Sequence, residues 1–215
     1  MSLPRAERTA ADRTAPSLVG GDGTTCSRQT ETSRIAVVAI MLSMQRVAVV
    51  GSSGAGKTWL AGRLAVALGV PHVELDAIHH GPGWAALPAE EMRRELDRCC
   101  PAHGSWVADG NYGSKGGDLV RARADTVVWL DYPRPAVMRQ LGLRTLRRIV
   151  LRQRLWNDNR ESLRNAVSWD PERSVLRWAW TRHASQRLQY ATQADGRWIR
   201  LNSRAEVSRF LDQVV

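Results

Sequence analysis

The chain has 215 residues, with 31 basic against 21 acidic side chains and a formal net charge of +10. At roughly 100–200 residues per domain this length predicts one domain, with room for a tail, that can bury a real core. A hydrophobic content of 43% with nine Trp excludes a disordered chain, and the longest apolar run, Ile35 to Ser43, is about half of the ~20 residues a spanning helix needs.

Three Cys, two of them adjacent (Cys99, Cys100), form neither a disulfide framework nor a zinc spacing. A reduced, cytoplasmic compartment is expected, with no membrane partner. The basic excess points to a polyanionic partner: nucleic acid, acidic lipid or nucleotide phosphates. Only two of the basic residues are lysines, Lys57 and Lys115; the other 29 are arginines.

Residues 1–44 are rich in Thr, Ser, Gly, Ala and Arg up to Arg34 and lack hydrophobic periodicity, so they read as a disordered extension. The apolar run after them comes too late, behind four acidic residues, for a signal peptide. Met44 is a candidate natural start. From residue 45 to 215 strands and helices alternate. Arg46 to Val50 reads as a buried parallel strand. Lys57 to Leu68 places Leu60, Leu64 and Leu68 on one helical face and stops at Gly69 and Pro71. His72 to Leu75 is a second strand. Pro88 to Cys99 is an amphipathic helix with Pro in its first turn. Trp106 to Ala108 and Thr126 to Leu130 are the third and fourth strands. Pro135 to Arg154 is a long Arg-rich helix, and a Trp- and Arg-rich, mostly helical segment follows to Tyr190. Trp198 to Leu201 is the fifth strand. Ser203 opens the last helix, with Glu206 completing a capping box. This order predicts an α/β sandwich around a parallel sheet.

Gly51-Ser52-Ser53-Gly54-Ala55-Gly56-Lys57-Thr58 is a complete G-x-x-x-x-G-K-T phosphate loop between a strand and a helix. The glycines permit the tight turn and let backbone N–H groups face phosphate oxygens. The helix N-terminus adds its positive end. Lys57 reaches the β- and γ-phosphates, and Thr58 offers a hydroxyl to Mg²⁺. In a chain built on arginine, a lysine stands where a compact, flexible ammonium is wanted. A second carboxylate for the Mg²⁺ shell has two candidates at strand ends, Asp109 and Asp131, each of which also suits a cap or a turn. Asp76, just past strand two, is placed to orient an acceptor hydroxyl or take its proton, or to form an Asx turn. His79 and His80 read as exposed loop histidines. Trp84 is a candidate pocket wall or core residue.

With these residues in hand, the stretch from about Gln45 to Val215 resembles the P-loop kinases of the adenylate-kinase and shikimate-kinase type. More narrowly it resembles the FlaR-like group of DNA topology modulation proteins. The resemblance rests on Gly51 to Thr58, Leu75-Asp76 with Trp84, Asp109-Gly110-Asn111-Tyr112, Trp129-Leu130-Asp131, and Leu155-Trp156-Asn157-Asp158-Asn159-Arg160-Glu161-Ser162, the last being the narrower signal. It implies a P-loop NTPase three-layer sandwich, with a five-stranded parallel sheet in the order 2-3-1-4-5 and an Arg-rich helical lid over about 144–170. It also implies that Asp109-Gly110 serves the Mg²⁺ water shell, which favours Asp109 over Asp131. Asn111-Tyr112-Gly113 stands where adenylate kinases have Phe-Pro-Arg, so the resemblance does not carry AMP over as acceptor.

The charge is not spread evenly. Residues 134–187 hold 13 Arg and four acids, a net of +9, whereas the core outside this stretch and the tail is neutral. Arginines there are expected to neutralise the transferring phosphoryl group, worth roughly 10³–10⁵ in rate for a well-placed one. Arg160, Arg148, Arg152 and Arg154 are the candidates, Arg160 first, and the other arginines of the stretch mostly read as solvated helix faces. Trp156, Trp169, Trp178 and Trp180 interleave with the arginines. This is also a single-strand nucleic-acid pattern, although Trp178 and Trp180 cannot share one helical face. The resemblance places Asn202 and Ser203 along the adenine ring, with Ser203 better explained as the helix cap. The expected activity is phosphoryl transfer from ATP with Mg²⁺ to an unidentified small acceptor. The alternatives are an ATP-dependent nucleic-acid-binding protein and an ATPase with water as its acceptor.

Overall fold

The computed structural model describes residues 44–162, 166, 168–170 and 174–214. The extension expected over 1–44 lies outside these except for Met44, which is buried against the core. Part of the lid expected over 144–170 also lies outside them.

The elements in chain order are β1 (Arg46–Gly51), α1 (Lys57–Leu68), β2 (His72–Glu74), α2 (Leu75–His79), α3 (Ala89–Cys99), β3 (Trp106–Asp109), α4 (Gly117–Arg123), β4 (Thr126–Leu130), α5 (Arg134–Val150), α6 (Val175–Gln193), β5 (Trp198–Leu201) and α7 (Arg204–Val214). Single 3₁₀ turns stand at Pro82–Trp84, Gly113–Lys115 and Trp156–Asp158. The five strands form one parallel sheet in the order β2-β3-β1-β4-β5. With the phosphate loop after β1, this is the P-loop NTPase fold.

The central strand explains the absence of polar alternation. Val47 and Val49 face one layer with Leu60, Leu64 and Phe210, while Ala48 and Val50 face the other with Leu75, Met92 and Leu96. Helices cover both faces, so every β1 side chain from Val47 to Val50 is buried. Each fully buried Leu or Val on these faces contributes about 1.5–3 kcal/mol.

Several elements differ from expectation. Strand two ends at Glu74, the last residue paired with β3. Leu75 then turns into the core as the first residue of the short helix α2. Helix α4 is not among the expected elements; it buries Val120 and Arg121. The long helix ends at Val150 instead of Arg154. Arg152 turns left-handed (φ 46) and sends its N–H to the Ile149 carbonyl, while the Gln153 N–H reaches the Arg148 carbonyl, a Schellman closure without glycine. The Trp- and Arg-rich segment resolves into α6, capped by Ser174 accepting from the Arg177 N–H. The Ser203 cap is as expected: Ser203 Oγ accepts from the Glu206 N–H, and the Glu206 carboxylate accepts from the Asn202 N–H.

Candidate active site

The chemistry-bearing residues gather at the carboxyl ends of β1, β2 and β3. Gly51 has φ 145, and a Cβ there would lie 2.6 Å from the Leu130 carbonyl oxygen of β4. Gly54 has φ 88, and a Cβ there would meet the Leu141 side chain of α5 at 2.7 Å. The loop is thus wedged between β4 and α5, which is the steric reason for its glycines at these two positions. Gly56 caps α1 in the left-handed region. Lys57 follows and bends its Nζ back onto the Ser52 carbonyl oxygen at 3.2 Å. Burial pushes its ammonium below the usual lysine range, against the pull of the Asp76 and Asp109 carboxylates and with the push of Arg144.

Thr58 Oγ1 donates to Asp109 Oδ2 at 2.7 Å. The other carboxylate oxygen of Asp109 takes His72 Nε2–H at 2.8 Å, a bond that raises the His72 pKa. A hydroxyl and a carboxylate side by side are hard oxygen donors suited to Mg²⁺, which takes one or two protein ligands and completes its shell with phosphate and water. No group of three or more His, Cys, Asp or Glu gathers into a metal cage among the described residues. Asp131 is engaged elsewhere. It is buried, and both Arg187 of α6 and Arg200 of β5 close on its carboxylate. Of the two candidates, only Asp109 touches the phosphate loop.

Asp76, in α2, receives the Tyr112 hydroxyl on Oδ1 at 2.5 Å. Burial, then Asp76 itself, raises the Tyr112 pKa, so the phenol remains a donor. His80 Nε2 lies 3.4 Å from the same hydroxyl. His79 is buried and His80 half-buried, contrary to the expectation of exposed loop histidines. Burial lowers both of their pKa values. Trp84 packs edge-on against His80, and Trp156 stacks on its other side.

The segment 155–162 docks onto this corner. Trp156 Nε1 donates to Glu74 at 2.9 Å, Asn157 Nδ2 to the His80 carbonyl, and Asn159 Nδ2 to the Gly81 carbonyl at 2.9 Å, while Asn159 Oδ1 accepts from the Trp84 N–H at 3.0 Å. Asn157 and Asp158 are left-handed (φ 55 and 60), a conformation those two residue types tolerate well.

The arginine candidates separate. Arg148 lies in α5 and pairs with Glu161 at 2.8 Å. Arg152 and Arg160 are exposed, and no hydrogen bond or ion pair joins either to the phosphate loop among the described residues. Arg154 pairs with Asp158 at the surface. Asn202 is exposed at the end of β5, beside the Arg204–Gln140 contact that bridges to α5. Two further residues belong to the site. Arg144, one turn before Arg148, carries an Nε with no hydrogen-bond partner among the described residues. Burial and then Arg148 press its pKa down to about 10, with Glu161 and Asp76 opposing. Asn111 brackets Gly51, accepting its N–H and donating to its carbonyl, and is itself held by the Tyr190 hydroxyl at 3.0 Å. Helical periodicity alone cannot say which arginine of an Arg-rich helix faces the site. The sequence places Asn111 in the Asp109-Gly110-Asn111-Tyr112 motif but gives it no role.

The fold is similar to that of shikimate kinase from Bacteroides thetaiotaomicron, at 16% identity over 79% of this chain and 96% of that one, with a TM-score of 0.49. It is also similar to a gluconokinase from Sinorhizobium meliloti 1021, at 16% identity over 79% and 89% with a TM-score of 0.45. A sugar kinase from Janibacter sp. HTCC2649 aligns at 18% identity over 79% and 94%, with a TM-score of 0.43. No protein-family model and no curated protein sequence matches the chain.

Proposed function

We propose that this protein is an ATP-dependent phosphotransferase that moves the γ-phosphoryl group of ATP to the hydroxyl of a small acceptor. The observation that carries this reading is the convergence of four groups from three elements, α1, α2 and β3. Lys57 lies half-buried within the electrostatic pull of Asp76 and Asp109, and Thr58 is bonded to Asp109. In this reading the backbone of Gly51, Ser52, Ser53, Gly54, Ala55 and Gly56 cradles phosphates. Lys57 unbends from the Ser52 carbonyl to meet them. Thr58 and Asp109 would hold Mg²⁺, which would supply neutralisation of the phosphate charge. Asp76, with one oxygen held by Tyr112, orients the acceptor hydroxyl with the other and accepts its proton. Arg144 and Arg148 neutralise the transferring group, Arg148 after leaving Glu161. Arg152 and Arg160 are carried as further lid arginines, and Asn202 as a neighbour of the base.

A phosphate-transfer screen tests the proposal. The chain is incubated with ATP, Mg²⁺ and a panel of nucleosides, nucleotides, sugars and small hydroxy acids, with Lys57→Ala as the blank. Release of ADP with one acceptor class, lost in Lys57→Ala, is the expected result. Release that ignores every acceptor assigns water as the acceptor. No Lys57-dependent release overturns the proposal.

A further inference from the structure

The length of an apolar run excludes a spanning helix, and indeed no helix among the described residues is long and apolar enough to cross a membrane. Run length is blind, however, to apolar side chains that alternate with arginines and meet only when the chain coils. Helix α5 carries such a stripe. Leu143, Leu146 and Val150 follow at helical spacing, so they share one face, and Leu151 extends it. They are 60%, 55%, 69% and 56% exposed. The opposite side of the same helix is buried through Val137, Leu141 and Thr145. Arg139 and Arg147 stand exposed beside the stripe, and neither has a carboxylate partner among the described residues. No Asp or Glu occurs between Arg134 and Asn157, and none occurs in α6, which packs alongside.

We propose that this face of α5 docks on the surface of an anionic lipid bilayer. The stripe enters the headgroup–acyl boundary, and Arg139 and Arg147 meet lipid phosphates. Four large aliphatic side chains in one exposed patch call for an apolar environment. The arginines without nearby carboxylates make that environment anionic. A second copy of the chain fits less well, because apposing two such faces sets arginine against arginine with no acid to pair. A nucleic acid also fits less well, because bases stack on rings and the stripe has none. At 17 residues the helix is about 25 Å long, enough to lie flat in an interface. Arg144 and Arg148 project from a different face of α5, so docking leaves the phosphate loop uncovered. The inference does not depend on phosphoryl transfer.

The test is co-sedimentation of the full chain with phosphatidylcholine vesicles, with and without phosphatidylserine, at low and high salt. Binding to the phosphatidylserine vesicles that weakens with salt is expected. Arg139→Gln and Arg147→Gln should each weaken it roughly fivefold. Leu143→Ser/Leu146→Ser/Val150→Ser should weaken it more than about tenfold while keeping the wild-type melting temperature, because the residues are exposed. Should the triple variant melt early, the two arginine variants decide. No binding to anionic vesicles overturns the proposal, as does equal binding to neutral ones or wild-type binding by all these variants. A dimer that the triple variant dissociates would assign the face to a second copy, and stripe-dependent binding of a single-stranded oligonucleotide without vesicle binding would assign it to nucleic acid.

Discussion

Two aspartates at the ends of the strands that flank β1 have the same local sequence logic and opposite surroundings. Asp109 touches Thr58 and His72, and Asp131 is held by Arg187 and Arg200. Asp109→Asn should therefore abolish most Mg²⁺-dependent turnover while leaving the chain folded, read by ADP release and circular dichroism. Asp131→Asn should do the reverse. It should lose about 1–2 kcal/mol of stability in urea titration, the low side of a buried pair because both arginines are half exposed, and should keep nucleotide affinity. Gly54 has a simpler dependence on its neighbours. An added methyl group would meet Leu141 at 2.7 Å in a left-handed backbone. Gly54→Ala should cost about 1–3 kcal/mol and weaken nucleotide binding, measured by thermal melts with and without ATP. The need for glycine in a phosphate loop is legible in the sequence. That Leu141, in a helix some ninety residues later, enforces it is not.

At the scale of elements, α5 is the helix on which most depends. Its closure at Arg152 uses a left-handed residue with a Cβ, where glycine relieves about 1 kcal/mol of strain. Arg152→Gly should raise the melting temperature by a few degrees. The same variant measures the candidate role of Arg152 toward nucleotide: an unchanged ATP affinity assigns the residue to the helix end alone. Sequence periodicity placed α1, α3 and α7 well because their apolar stripes face the core. It overran α5, because the arginines and leucines of 147–154 continue a helical pattern that the backbone leaves at Val150. The segment 155–162 departs from expectation as well. Read as part of a mostly helical stretch, it forms a single 3₁₀ turn at Trp156–Asp158; the Asn157 and Asn159 amides fasten the His80–Trp84 loop by three hydrogen bonds, and the Trp156 indole holds Glu74.

For the whole molecule, the buried histidines set the response to acid. Burial holds His79 and His80 below the ordinary value of 6.5, so the unfolded chain takes up protons first as pH falls. Their contribution to stability is full above pH 6.5 and is lost as pH falls through the lowered values. His72 runs the other way: its bond to Asp109 stabilises most below pH 6.5 and fades as pH rises through its raised value. Melting temperatures between ~pH 8 and ~pH 5 should fall for the wild type. They should fall less for His80→Phe, which keeps a ring between Trp84 and Trp156 and removes one titrating group.

The sequence by itself determined the phosphate loop, the strands that flank it, the Thr58 hydroxyl and the concentration of arginine after strand four. These are contiguous features, carried by neighbouring residues and by hydrophobic period. The tertiary structure decided which carboxylate meets Thr58 and which is consumed by arginines 56 and 69 residues away. It also decided that Arg144 lies within electrostatic reach of Lys57 and Asp76, and that Asn111 brackets Gly51. The net charge could be located along the chain but not around a helix axis. In an acid-free helix every arginine looks alike until packing turns one face toward a phosphate loop and leaves a stripe of leucines facing out.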